Sequence, residues 1–92
     1  MRLVRLHITV SGNVQGVGFR YFAQMKAIQF GITGWVRNQD NGSVEMVAVG
    51  EKEDMDQFVD NLREGNPFSK VTDLQIEELA ETEPFQSFKI KY

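Results

Sequence analysis

The chain has 92 residues, of which 41% are hydrophobic and 25% are charged, the balance of an ordinary soluble domain. It contains no cysteine and one histidine, His7, which excludes disulfides, a thiolate nucleophile and a metal site built from several histidines. Ten Lys and Arg against 13 Asp and Glu give a net charge of −3, which argues against general nucleic-acid binding.

The first third of the chain changes from a strand pattern to a helix pattern. Residues 3–11 alternate between apolar and polar side chains, which predicts a strand whose buried face is formed by Val4, Leu6, Ile8 and Val10. Apolar residues then recur at helical spacing, which predicts a helix from Phe19 to about Phe30. Gly31 favours the end of that helix.

The remaining two thirds predict a hairpin, a second helix and two more strands. The Asn-Gly pair within "QDNG" (39–42) indicates a tight turn between two strands. Acidic residues favour the start of the second helix, and Gly65 and Pro67 favour its end. The expected elements are strands at 32–38 and 43–50, a helix within 51–67, and strands at 71–79 and 85–92.

This order, β-α-β-β-α-β with a short extra C-terminal strand, predicts an α+β fold of the ferredoxin-like type. In that fold two helices cover one face of an antiparallel sheet. No segment is long and apolar enough to span a membrane, and the N-terminal stretch lacks the apolar core of a signal peptide. We therefore expect a single domain over residues 1–92, monomeric, in the cytoplasm and without a membrane partner.

The stretch "SGNVQGVGFR" (11–20) joins the first strand to the first helix. A glycine-rich loop at a helix N-terminus presents free backbone N–H groups to an anion, and an arginine adds a planar set of donors. Gly12, Gly16, Gly18 and Arg20 would thus form an anion cradle. The pattern is neither a P-loop nor a dinucleotide fingerprint, and a flexible connector with a solvated arginine is the alternative.

Asn38 stands at the end of the second strand, where its amide can both donate and accept hydrogen bonds. If that strand lies near the glycine loop, Asn38 would face whatever the loop binds. The alternative is a plain hairpin with a buried Trp35.

Together these two stretches resemble the acylphosphatase family. The first family motif corresponds to "GNVQGVGFR" (12–20), and the second to Gly34, Trp35, Val36, Asn38, Gly42, Val44 and Gly50. Both match without a gap, and the likeness extends over the whole chain in length and element order.

The resemblance implies that the protein hydrolyses the carboxyl-phosphate bond of an acyl phosphate to a carboxylate and inorganic phosphate, without a metal or cofactor. It implies that Arg20 and Asn38 are catalytic, with Arg20 binding the phosphate and Asn38 orienting the attacking water. The implied phosphate-binding loop consists of Asn13, Val14, Gln15, Gly16, Val17, Gly18, Phe19 and Arg20. Inorganic phosphate or sulfate should then compete with substrate.

Two other functions remain as alternatives. The segment "GVGFRYF" (16–22) superficially resembles the RNP1 signature of RNA-binding modules, but it precedes a helix and lacks a basic residue at Gln15. A regulatory domain that binds anions without catalysis would need the loop and Arg20 but not Asn38. We interpret His7 as a plain surface residue, the acidic residues of 51–56 as a solvated helix start, and Met25, Met46 and Met55 as core residues.

Overall fold

Alternating apolar residues in the strands build one five-stranded sheet with two helices on one face. The computed structural model describes residues 2–92. The elements in chain order are β1 (Leu3–Asn13), α1 (Phe19–Gln29), β2 (Thr33–Asn38), β3 (Val44–Glu51), α2 (Lys52–Glu64), β4 (Lys70–Leu79) and β5 (Phe88–Lys91). Among residues 2–92, neither helix has the length and apolar character needed to cross a membrane.

The strands lie in the order β4-β1-β3-β2-β5. β1 pairs antiparallel with β3 and β4, and β2 pairs antiparallel with β3. The ferredoxin-like prediction is confirmed, with one refinement. β5 pairs parallel to β2, so the sheet is mixed and not wholly antiparallel. Residues 80–87 carry the chain from β4 at one edge of the sheet to β5 at the other edge.

The core lies between the sheet and the two helices. The predicted face of β1 is buried, with Ile8 and Val10 fully inaccessible. The helices contribute Phe19, Ala23 and Ala27 from α1, and Met55, Phe58, Val59 and Leu62 from α2. The ring of Phe58 meets that of Phe88 edge-on, at 6.2 Å between centroids. This contact packs β5 against α2.

Met25 was wrongly predicted to lie in the core, since 48% of its surface is exposed, whereas Met46 and Met55 are buried as expected. In a helix, residue 25 is turned about 200° from residue 23, given about 100° per residue. Ala23 faces the sheet, so Met25 faces solvent.

The prediction of a buried Trp35 is also wrong, because the alternation of β2 turns Val36 towards the helices and Trp35 towards the helix-free face. Trp35 is half-buried there. The ammonium nitrogen of Lys91 lies 4.4 Å from its ring centroid, and the guanidinium carbon of Arg37 lies 5.7 Å from it. Two cations therefore cover part of the indole that the core does not.

His7 also lies on the helix-free face, where it is more than the plain surface residue expected. Its Nε2 lies 2.7 Å from Oε2 of Glu45, and Arg37 donates from Nε to Oε1 of the same carboxylate at 2.6 Å. The hydrogen bond with His7 lowers the pKa of Glu45 and the Arg37 guanidinium lowers it further, whereas burial of the carboxylate acts in the opposite direction. The network thus links β1, β2 and β3 across the sheet.

The lowered pKa of Glu45 predicts a pH-dependent contribution to stability. A carboxyl group whose pKa is lower in the folded state stabilises that state above its unfolded pKa, and the contribution is lost as the pH falls through the folded pKa. We expect Glu45→Gln to lower the free energy of unfolding by about 1.5–3 kcal/mol at neutral pH, the usual effect of a hydrogen bond to a charged group. The loss should shrink progressively below the ordinary value of 4.5. Urea unfolding at neutral and acidic pH measures it. Glu83→Gln, in an exposed loop, is the control, and a Glu45→Gln deficit independent of pH would contradict the assignment.

Candidate active site

The connection between β1 and α1 contains two glycines whose backbone adopts the left-handed conformation. Gly16 has φ 75° and Gly18 has φ 76°, values at which any other residue is strained. Gly18 is the N-cap of α1, without a side-chain cap, and its carbonyl accepts the first helical hydrogen bond from Phe22 N–H at 3.0 Å. Within residues 2–92, no protein acceptor is found for the N–H groups of residues 15–21. These donors and the positive end of the α1 dipole favour an anion.

A cleft of about 160 Å³ opens beside this loop. Of the predicted site residues it brings together Val14, Gly16, Gly18, Phe19, Arg20 and Asn38, while Asn13, Gln15 and Val17 do not line it. Three further residues complete its wall: Tyr21, Ile90 and Tyr92. The loop, the first turn of α1, the end of β2 and the C-terminus therefore meet at one place.

Arg20 lies in the first turn of α1 and is partly buried. Its Nη1 donates to the carbonyl oxygen of Lys91 at 3.3 Å, and its guanidinium carbon lies 4.8 Å from the ring centroid of Tyr92. These contacts hold the guanidinium at the cleft and leave its other N–H groups available for an anion.

Asn38 ends β2, opposite Val44 of β3, and its side chain is exposed at the cleft. Gln39 N–H closes the following turn onto Ser43 O at 2.9 Å. The side-chain amide of Gln15 donates to Gln39 O at 2.7 Å and to Ser43 O at 2.9 Å. Gln15 therefore ties the glycine loop to the turn that follows Asn38, which explains why two segments distant in sequence share one cleft.

Gly12, which the sequence placed in the anion cradle, does not line the cleft. It has φ 128° and sits where the register of β1 against β4 shifts. A Cβ at this position would lie 2.1 Å from Lys70 O. The close approach of β4 at this bulge therefore requires a glycine at position 12.

Sequence reasoning missed Tyr21, Ile90 and Tyr92 as cleft residues. The alternation of Phe88, Ile90 and Tyr92 indicated a strand, but no local pattern says that the strand pairs with β2. Only that pairing, with Ile90 opposite Val36, brings the C-terminus to Arg20.

The donors of this cleft suit an anion and not a cation. Backbone N–H groups and a guanidinium present positive charge and no lone pair for a metal. In the part of the chain that the structure describes, no three His, Asp or Glu side chains are grouped so that they could hold a metal ion.

Comparison with known proteins identifies the family to which this sequence and fold are similar. The sequence profile of the acylphosphatase family matches residues 6–90. The chain belongs to this family. An acylphosphatase of Bacillus licheniformis is 51% identical over 90 residues, covering 98% of this chain and 100% of that protein. The crystal structure of an acylphosphatase from Bacillus subtilis superposes with a TM-score of 0.93 at 45% identity, covering 97% of this chain and 99% of that one. An acylphosphatase structure from Coxiella burnetii gives 0.91 at 38% identity, with 97% and 93% covered. The resemblance predicted from the two motifs is confirmed.

The burial of Phe19 disfavours the RNA-binding alternative for residues 16–22. Phe19 begins α1 and is only 1% exposed, because it packs in the core. A buried ring in a helix cannot stack on a base, as the aromatics of an RNA recognition motif do from the sheet surface.

Proposed function

We propose that this member of the acylphosphatase family hydrolyses acyl phosphates to a carboxylate and inorganic phosphate by direct attack of water on phosphorus. The observation that carries the proposal is the common cleft of the glycine loop, Arg20 and Asn38. It combines donors for a phosphate with one neutral amide that can orient a water.

Residues 13–20 would hold the phosphate. Backbone N–H groups of the loop and of the first turn of α1 would bind its oxygens, and the Arg20 guanidinium would bind two of them at once. Gln15 anchors the loop to the turn after Asn38, which would arrange its donors before the substrate arrives. Asn13, Gln15 and Val17 would act through their backbone or as supports, since the cleft is lined by their neighbours.

Asn38 would act on the nucleophile. Its carboxamide oxygen accepts a hydrogen bond from water while its NH₂ group donates to a phosphate oxygen, which aligns the water behind phosphorus. The leaving group is a carboxylate, a weak base, so no general acid is needed to protonate it, and the proton lost by the attacking water would pass to an oxygen of the phosphate. Phosphoryl transfer depends mainly on positioning and charge stabilisation, and the proposed residues supply both.

Metal and cofactor independence is part of the proposal, since the N–H groups and Arg20 supply the positive charge at the phosphate. Inorganic phosphate or sulfate would compete with substrate for the same donors. A monomeric state stays a prediction from the sequence. A cytoplasmic location stays a prediction from the sequence.

Hydrolysis of benzoyl phosphate after exhaustive chelation tests the proposal. We expect benzoate and phosphate to be released at the same rate with and without EDTA, and no gain on adding Mg²⁺. An alkyl phosphate monoester is the matched control, because its alkoxide leaving group would need the acid that this cleft does not provide. Phosphate binding without hydrolysis would indicate an anion-binding domain, and loss of activity on chelation with recovery on Mg²⁺ would refute the metal-free mechanism.

A further inference from the structure

The outer side of the glycine loop is held by Asn66, a residue of the α2–β4 connection. Its side-chain Nδ2 donates to Val17 O at 2.8 Å, across 49 positions of the chain. The same Nδ2 would lie 3.8 Å from a Cβ placed on Gly18. Asn66 thus contacts the loop directly behind the cleft, where it does not itself line the wall.

This contact determines the direction of one cleft donor. Val17 C=O and Gly18 N–H belong to the same planar trans peptide, so they point in opposite directions. Because Asn66 binds the Val17 carbonyl, the Gly18 N–H points away from Asn66. Gly18 itself lines the cleft. Gly18 at φ 76° has the conformational freedom to let this peptide rotate. The Asn66 hydrogen bond favours one orientation of the peptide.

Asn66 is itself held in place by a tight turn. Its backbone N–H donates to Ser69 Oγ at 3.0 Å, while its carbonyl accepts from Ser69 Oγ at 3.0 Å and from Ser69 N–H at 3.1 Å. Gly65, with φ 72°, leads into the turn from α2. The carboxamide is therefore presented to the loop by a fixed backbone.

The other end of the carboxamide argues for a role in geometry and not in stability. Asn66 Oδ1 is buried and accepts no hydrogen bond from a protein group within residues 2–92. Burying an unpaired acceptor offsets the gain from the single hydrogen bond to Val17. We expect the net contribution of this side chain to folding to be small, whereas its hydrogen bond to Val17 O acts directly on the peptide that carries the Gly18 N–H.

We propose that Asn66 is a positioning residue of the phosphate site, which orients the Val17–Gly18 peptide so that its N–H faces the bound phosphate. This inference rests on the proposed function, because it assumes that the loop binds the phosphate. It adds the α2–β4 connection to the machinery of the site, a segment that supplies no cleft wall.

Phosphate binding by Asn66→Ala tests the inference, with Asn61→Ala as a matched control. Asn61 also donates from Nδ2 to a backbone carbonyl at 2.8 Å, but within α2 and away from the loop. We expect the inhibition constant of inorganic phosphate to rise about tenfold in Asn66→Ala, the loss expected for one well-placed hydrogen bond. The phosphate-induced shift of the Gly18 amide in ¹H–¹⁵N spectra should shrink, while thermal unfolding matches that of Asn61→Ala. Asn66→Asp keeps the volume, removes the donor and should weaken phosphate binding further.

The ¹H–¹⁵N spectra distinguish a failure of the proposed function from a failure of the inference about Asn66. If the Gly18 amide of the unmodified protein does not respond to phosphate, the loop is not the phosphate site, and the proposed function and this inference fail together. If it responds equally in the unmodified protein and in both Asn66 variants, only the inference is overturned. A lower melting temperature with an unchanged inhibition constant would mean that Asn66 supports the fold alone.

Discussion

Arg20→Ala is expected to raise KM and lower kcat together, reducing kcat/KM by about 10³-fold, the range for an arginine that stabilises charge in phosphoryl transfer. Arg20 would bind the phosphate in both the ground state and the transition state, so both kinetic constants depend on it. The inhibition constant for inorganic phosphate should rise as well. Steady-state kinetics with benzoyl phosphate, and circular dichroism to show that the variant is folded, provide the measurement.

Arg20→Lys distinguishes charge from geometry. Lysine keeps the positive charge, but its ammonium group cannot contact two phosphate oxygens in one plane or stack on the Tyr92 ring as the guanidinium does. We therefore expect little recovery of kcat/KM relative to Arg20→Ala. Arg63→Ala removes an exposed arginine from the last turn of α2 and should leave the kinetics unchanged. Near-normal kcat/KM in Arg20→Lys would mean that the site needs only a positive charge.

Sequence periodicity was sufficient for most of the fold, because each element depends on its own side chains. The strand β1 and the helix α2 follow from alternation and from helical spacing respectively, and the structure buries the predicted faces. The direction of β5 could not be predicted in this way. It depends on how residues 80–87 cross the sheet, and a strand has the same alternation in either direction.

The residues of the site likewise fall into those that local sequence predicts and those that depend on distant contacts. The glycines at 16 and 18 and Arg20 are close in sequence, so their joint presence at a helix N-terminus could be predicted locally. Asn38 could be placed at the cleft only conditionally, since the β1-β3-β2 order decides it. The contacts of Arg20 with Lys91 and of Asn66 with Val17 join residues 71 and 49 positions apart, and no local pattern predicts them. His7 was misjudged for the same reason, because its partner Glu45 is on another strand.

Asn38→Ala is expected to lower kcat by about 10²-fold or more, as for the loss of another preorganised polar group, with KM much less changed. In the proposed mechanism Asn38 orients the water, and this interaction is used only on the way to the transition state. Phosphate binding depends on the loop and Arg20, so the inhibition constant for phosphate should stay close to that of the unmodified protein. This division of kcat and KM is the opposite of the joint loss expected for Arg20.

Asn38→Asp is the sharper variant, because it keeps the size of the side chain, removes the NH₂ donor and places a negative charge beside the phosphate. We expect it to be at least as inactive as Asn38→Ala. Asn61→Ala, in α2, controls for the removal of an amide elsewhere in the chain. Because the Asn38 side chain is exposed, neither substitution should unfold the protein. A folded Asn38→Ala protein with near-normal kcat would remove Asn38 from the mechanism and leave an anion site formed by the loop and Arg20 alone.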